Sequence, residues 1–368
     1  MECADRQQLL PVILTDMSHA LPRPRANHPF LRRGSHTLQI GLDRQSAAVL
    51  DGMSDAAIRA LVRLDGTVSR GELVTTIPEF EDILNALERL GLIEDAEPHD
   101  SPLSRVRSDR LAHERHVLAC IHGSGSAADE ILAGRARRVV GIRGHDRAAA
   151  HIAVGLASAG VGTVGLLGPD HVTSLGDITP VGPFEPDVSW VEQLSEAVRR
   201  QGAHATLLES QPPDLVVIAA SADVQPAWTD PELAHDLMSD DIPHYPVAVS
   251  GGSARIGPMI IPGLTPCLDC LDLRERDRDR AWPALVDQVR LRHHRTRAQD
   301  GAVAALGAAI AVREILTFLD DRSERPKVGN AFEYKEFHDS ELTPTSVSVI
   351  RHPLCGCGWG QLPRTMES

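Results

Sequence analysis

Four cysteines toward the C-terminal end of the chain have the type and spacing to hold a metal ion. Cys267 and Cys270 form a C-x-x-C pair inside the run Gly257-Pro-Met-Ile-Ile-Pro-Gly-Leu-Thr-Pro-Cys-Leu-Asp-Cys-Leu271, and Cys355 and Cys357 form a C-x-C pair just after His352-Pro353. Thiolates supplied as two tight pairs suit tetrahedral zinc, because each pair sits on a turn that aims both sulfurs at one ion. A closed four-thiolate site keeps no open position, so the expected zinc holds structure and does no chemistry. It would clamp the last stretch of the chain onto a segment far upstream. Two alternatives stay open on the residues alone: a redox dithiol, and plain buried thiols. His352 is a candidate to hydrogen-bond a metal-bound thiolate.

The elements that must position these cysteines belong to a long chain. At 368 residues it exceeds one ordinary core and points to two or three units. The formal net charge of −14 argues against a nucleic-acid partner. Six cysteines are too few for a disulfide scaffold, and the tight pairs favour a reducing compartment. The N-terminus, Met1-Glu2-Cys3-Ala4-Asp5, has no basic segment followed by an apolar run. The most apolar helical window, Ala302 to Leu319, is interrupted by Arg313 and Glu314, so no membrane span is expected. These features read as a cytoplasmic protein.

The chain divides on pattern into an irregular arm over 1–27, a small module over 28–98, a linker with a leading helix over 99–134, and an α/β unit over 135–368. In the module, Thr37 to Leu42 alternates as a strand and Ala48 to Asp51 continues a hairpin. Ser54 and Ser69 cap two helices, and Phe80, Ile83, Leu84, Leu87 and Leu90 share the face of a third. Leu92-Ile93 opens a closing strand. Strands, three helices and a last strand make a winged-helix-like module. Beyond it, a strand at Arg138–Ile142, a helix from Asp146 to Ala159 and a strand at Thr163–Leu167 make a βαβ unit. Further strands at Ala205–Leu208, Leu215–Ala219 and Pro246–Ser250 alternate with helices at Val188–Arg200 and Pro231–Met238. That alternation indicates a doubly wound sheet. An antiparallel section follows from Arg255, then a long helix over Ala302–Leu319, and late strands at Lys335–Phe337 and Ser346–Ile350. The arginine-flanked His293-His294 reads as a solvated helix face or an acidic-partner patch.

Taken together, the βαβ unit with Gly160-Val-Gly-Thr-Val-Gly165, the Pro262-Gly-Leu-Thr-Pro-Cys-Leu-Asp-Cys-Leu271 run, and the second cysteine pair resemble the ThiF/MoeB family, whose fold is shared with ubiquitin-activating enzymes. With Arg274 and Asp279-Arg280-Ala281-Trp282, the resemblance narrows to ThiF-like leader-peptide-binding partners of azole- and azoline-forming (TOMM) peptide maturation. Leu64-Asp-Gly-Thr67 and Glu72-Leu73 resemble the PqqD-like module of that branch. The resemblance implies an α/β fold, a Rossmann-like ThiF-type doubly wound sheet with an N-terminal winged-helix-like (PqqD-like) module. It also implies a structural zinc on Cys267, Cys270, Cys355 and Cys357.

Active members of the family adenylate a carboxylate, and this chain departs from them where they handle ATP. The turn Gly141-Ile-Arg-Gly-His-Asp-Arg147 keeps Gly141 and Gly144 but carries Arg143 and Asp146 where the family has glycines. A β-carbon there blocks close approach to phosphate, and Asp146 adds negative charge at a helix N-terminus that would attract an anion. Asp170 is the acid remaining after Leu167, and Asp223 is displaced from the family's catalytic position. No lysine precedes Lys327, so the phosphate-contacting lysine is missing, and arginine is no equal substitute. Gly141, Gly144 and Asp170 therefore read as a vestigial nucleotide site, ATP is not an expected cofactor, and no catalytic residue is assigned.

The expected role is recognition. The module would take up a precursor leader peptide as an added strand, with Leu38, Ile40, Phe80, Leu84 and Leu87 facing it, or else forming the module's own core. A YcaO-type cyclodehydratase would act on the captured peptide, and the α/β body would dock that enzyme or form a homodimer. The contrasting expectation is a divergent adenylating enzyme using Asp170, Arg147 and Asp223 in shifted roles.

Overall fold

The computed structural model describes residues 20–25, 28–42, 47–96, 105–122, 124–168, 187–207, 212–220, 231–291, 299–321, 333–338 and 341–357. Asp170, Asp223, His293 and His294 lie outside these residues, as does most of the expected arm. The chain separates into two compact units, 1–131 and 132–368.

In the first unit, β2 (Phe30–Arg32), β3 (Leu38–Ile40) and β4 (Ala48–Leu50) form an antiparallel sheet in the order β2-β3-β4. Three helices follow: α1 (Asp55–Val62), α2 (Arg70–Thr76) and α3 (Phe80–Arg89). Their starts are set by side-chain caps. Ser54 accepts from Ala57 N, and Ser69 with Glu72 completes a capping box. The apolar stripe of α3 closes on the sheet, and Phe30, Leu38, Ile40, Ile58, Leu61, Phe80, Leu84 and Leu87 form one core. Buried Arg70 ties α2 to α3 through Glu81, Glu88 and Asn85, at 2.6 to 2.9 Å.

Two expectations need correction here. Part of the arm is ordered: β1 (Pro22–Pro24) pairs antiparallel with β5 (Ile93–Asp95). Two prolines hid this strand, yet a proline at a sheet edge loses no ladder bond. The stretch 99–134 carries α4 (Arg105–Arg110), α5 (Ala112–His122) and α6 (Gly125–Arg135), not a linker with one helix. α4 is charged on most faces and α6 is built largely of small residues, which obscured the period.

The second unit is built on an eight-stranded sheet in the order β13-β12-β11-β10-β9-β6-β7-β8. Its strands are β6 (Val139–Arg143), β7 (Thr163–Leu167), β8 (His204–Leu207), β9 (Leu215–Ala220), β10 (His244–Ser250), β11 (Ser253–Ile256), β12 (Glu333–His338) and β13 (Glu341–Ser348). The strands from β10 to β8 run parallel, and β11, β12 and β13 extend the sheet antiparallel. The two glycines Gly251-Gly252 supply the tight β10–β11 turn, with Gly251 at φ 56.

Continuous apolar runs make the central strands because both faces are covered. On β9, Leu215, Val217 and Ala219 enter one core cluster while Val216 and Ile218 enter the other. The first face is covered by α7 (Arg147–Ser158), α8 (Trp190–Arg200) and α12 (Gly301–Asp320). The second holds α9 (Pro231–Ser239) and α10 (Leu268–Arg278), after which α11 (Trp282–Leu291) follows. Small residues let α7 and α12 approach closely: a β-carbon on Gly155 would stand 2.9 Å from a methyl of Val312.

By length and composition α12 could cross a membrane. Here Val303, Ala304, Ala308, Ala311, Ile315, Leu316 and Leu319 belong to the core instead. Arg135, 2 % exposed, forks onto Asp320 at 2.7 and 2.8 Å and donates to the Ala159 carbonyl at 2.8 Å, pinning the end of α12 beside that of α7.

Candidate functional site

The four cysteines converge. Their sulfurs all lie within 4.8 Å of one another. Cys267 Sγ stands 3.9 Å from Cys270 Sγ and 3.5 Å from Cys355 Sγ, and Cys270 Sγ stands 3.5 Å from Cys357 Sγ. A zinc tetrahedron with Zn–S near 2.3 Å requires sulfur separations of about 3.8 Å, so the donor set fits zinc in kind and in spacing.

Local chain geometry explains the first pair. Thr265 Oγ1 accepts from Ile261 N at 2.8 Å and folds the Pro262–Pro266 turn. Cys267 is then the N-cap of α10, its side chain not used as a cap, and Cys270 follows three residues later on the same helical face. The helix N-terminus favours thiolate.

The second pair is built around His352, which is 5 % exposed. Its backbone N–H donates to Cys270 Sγ at 3.3 Å and its carbonyl accepts from Cys355 N at 3.0 Å. Its Nδ1 accepts from Leu354 N at 3.2 Å, which leaves the proton on Nε2 to meet Asp277 Oδ2 at 2.8 Å. The expected hydrogen bond to a thiolate is present, but the backbone makes it, while the imidazole is spent on Asp277 of α10. Arg274 adds two bonds to the Ile350 carbonyl, at 3.0 and 3.1 Å.

Burial and mutual hydrogen bonding set the thiols apart. A hydrogen bond from the Cys267 thiol, helped by the His352 N–H, pulls Cys270 down to about 4 against its own burial. Cys267 is driven upward as the donor of that bond and by burial, and burial pushes Cys355 up to about 12. A divalent ion bound among the sulfurs would favour the thiolate at each of its ligands.

The second candidate site lies at the carboxyl ends of β6 and β9, where the strand order reverses and open α/β sheets place their ligands. Gly141 sits within β6, opposite Gly165 of β7 and Val216 of β9. Gly144 follows at φ 141, and a β-carbon there would stand 2.2 Å from the Ala219 carbonyl oxygen, so only glycine fits.

The α7 N-terminus is already engaged. Asp146, 6 % exposed, caps it by accepting from Ala149 N at 2.8 Å through Oδ1. Its Oδ2 accepts from Gln299 Nε2 at 2.9 Å. Gln299 also donates to the Val249 carbonyl at 3.1 Å and accepts from Arg147 N at 3.3 Å. The Arg143 guanidinium lies against Gly168 at the end of β7, close enough that a β-carbon on Gly168 would fall 1.7 Å from Nη1. Two amides of this helix start, those of Arg147 and Ala149, are therefore taken by side chains, and a carboxylate stands beside them.

Leu38, Ile40, Phe80, Leu84 and Leu87 are all fully buried within the first unit's own core. They therefore offer a peptide no side-chain surface, as the alternative of a closed module core requires; on the same face of α3, Ile83 is part-buried and Leu90 exposed. What the unit does expose is β4, paired on one side by β3, with Val49 half exposed. Sequence reasoning missed Asp277, Gln299 and Thr265. Each acts across a turn or between distant segments and carries no local signal.

No protein-family profile and no curated protein sequence matches the chain. Solved structures do. Escherichia coli MccB with ATP superposes with a TM-score of 0.62 at 16% identity, covering 92% of this chain and 99% of that one. The microcin C7 biosynthetic enzyme MccB in complex with N-formylated MccA gives 0.61 at 15%, covering 92% and 99%. PaaA gives 0.62 at 16%, covering 89% and 99%. The chain therefore shares the α/β fold of MccB, matched over 91 to 92% of its length.

Proposed function

We propose that this protein is a recognition partner in ribosomal peptide maturation, one that binds a precursor leader peptide and presents it to a separate modifying enzyme. The observation that carries this reading is the Asp146 carboxylate capping α7 at the place a triphosphate needs, in a chain without a lysine before Lys327. Phosphoryl-type chemistry depends on neutralising charge that Asp146 instead supplies. The fold then serves as a scaffold, since fold does not dictate function. Structures of the similar MccB with the peptide MccA support peptide recognition as the retained role.

In this reading the module over 28–98 captures the leader by strand addition along β4, with Val49 on the contact surface. The α/β unit over 135–368, held by zinc on Cys267, Cys270, Cys355 and Cys357, docks a YcaO-type cyclodehydratase or a second copy of the chain, in the cytoplasm. Titration of the purified protein with a candidate precursor peptide from the same genome, against a scrambled leader, tests the proposal. Saturable binding of the natural leader alone is expected, and equal binding of both would end the reading.

A divergent adenylating enzyme is the second reading, favoured by the capture of ATP in the similar MccB. Pyrophosphate exchange with ATP and a candidate peptide separates the two. Robust exchange would establish the enzyme.

A further inference from the structure

We infer that the anion position at the α7 N-terminus of this fold is occupied by the protein's own side chains, a carboxylate standing where a nucleotide site receives phosphate. An anion cradle at a helix N-terminus works because unpaired amides and the helix dipole point at one place. In α7 that place holds the Asp146 carboxylate. One oxygen takes the Ala149 amide at 2.8 Å and the other takes the Gln299 amide at 2.9 Å. The Arg147 amide, next in the same turn, is taken by Gln299 Oε1 at 3.3 Å. At the end of β7, where such folds place an acid on the ribose, the Arg143 guanidinium lies against Gly168.

Gln299 makes this internal anion a joint between distant elements. It bridges Gly251 in the β10–β11 turn, bonds the Val249 carbonyl, and precedes Asp300, which caps α12 and donates its own amide to the Gly251 carbonyl at 2.9 Å. Asp146 thus couples α7, β10 and α12 without any ligand. What a nucleotide would organise on binding is organised here on folding. The anion position is a fixed structural joint.

This deepens the recognition reading and can fail separately from it. The test is thermal unfolding of the full-length, metal-loaded protein in sodium chloride, in inorganic phosphate at matched ionic strength, and in magnesium ATP. The wild type should respond to phosphate and ATP no more than to chloride. Asp146→Ala should lower Tm by about 3 °C, the size expected for a lost N-cap in a unit this long. Phosphate, supplying the missing anion, should restore at least half of that loss. Asp146→Asn keeps the cap to Ala149 but not the charge; it should show a smaller loss and a smaller rescue, and it stands in if Asp146→Ala does not fold. Stabilisation of the wild type by phosphate or ATP as large as that of the variant would overturn the inference. So would a variant that phosphate rescues no better than chloride. Leader-peptide titration of the same preparations reads the recognition role independently, and it should be unchanged in both variants.

Discussion

Removing the metal should cost the α/β unit as much as a severe core truncation. Cys267 and Cys355 are 88 residues apart in sequence and 3.5 Å apart in space. An ion bound to both pairs closes that long loop in the folded state, and any coordination that survives unfolding restrains the denatured chain as a disulfide does. For a covalent link over a loop this long, the chain-entropy argument gives about 4–5 kcal/mol. In a domain of 150–250 residues each kcal/mol moves Tm by about 2–4 °C, so stripping the ion should lower Tm by about 10–15 °C. The assay is thermal unfolding before and after a thiol-competitive zinc chelator, with metal content measured on the same samples. Cys357→Ser, which removes one of four ligands, should fall between the two. A purified protein holding well under one metal per chain would refute the reasoning. So would a chelated protein that melts at the original temperature.

His352→Ala should weaken metal retention by about 10–100-fold, because the imidazole and its bond to Asp277 shape the turn that carries Cys355 and Cys357. Zinc release to a colorimetric chelator at fixed pH reads this, and Asp277→Asn should show part of the same effect. His244 is fully buried at the start of β10, its Nδ1 donating to the Ile242 carbonyl at 3.0 Å, and burial pushes its pKa from 6.5 down to about 4. The folded state therefore prefers the neutral ring. Stability from this group is complete above pH ~6.5 and is lost as pH falls toward 4, by on the order of 3 kcal/mol. Denaturant unfolding of His244→Asn beside the wild type should show a flatter pH slope in the variant; parallel slopes would remove His244 as the cause. In the first unit, Leu84→Ala should destabilise by about 2–5 kcal/mol as a core truncation. Val49→Asp should change stability by about 0.5 kcal/mol or less, yet weaken leader binding at least tenfold. Unaltered affinity in Val49→Asp would move the peptide away from β4.

Local pattern determined most elements of this protein. Unbroken apolar runs such as Leu215–Ala219 require strands covered on both faces, and Ser54 and Ser69 start helices because their hydroxyls answer amides a few residues away. The cysteine pairs were legible as a donor set able to hold a metal because ligand type and turn spacing are local. Residue type also set the turn at Arg143 and Asp146 apart from a glycine-rich one. Tertiary structure alone decided the rest. It brought Cys267 to Cys355, assigned Leu38, Phe80, Leu84 and Leu87 to a closed core, and paired the proline-bearing β1 with β5. It also gave Asp146 its partner, Gln299, 153 residues further along the chain. An amphipathic period says which face of a helix is apolar but not what covers it, and a hydrogen bond between distant segments depends on how the sheet is ordered. Sequence spacing carries neither.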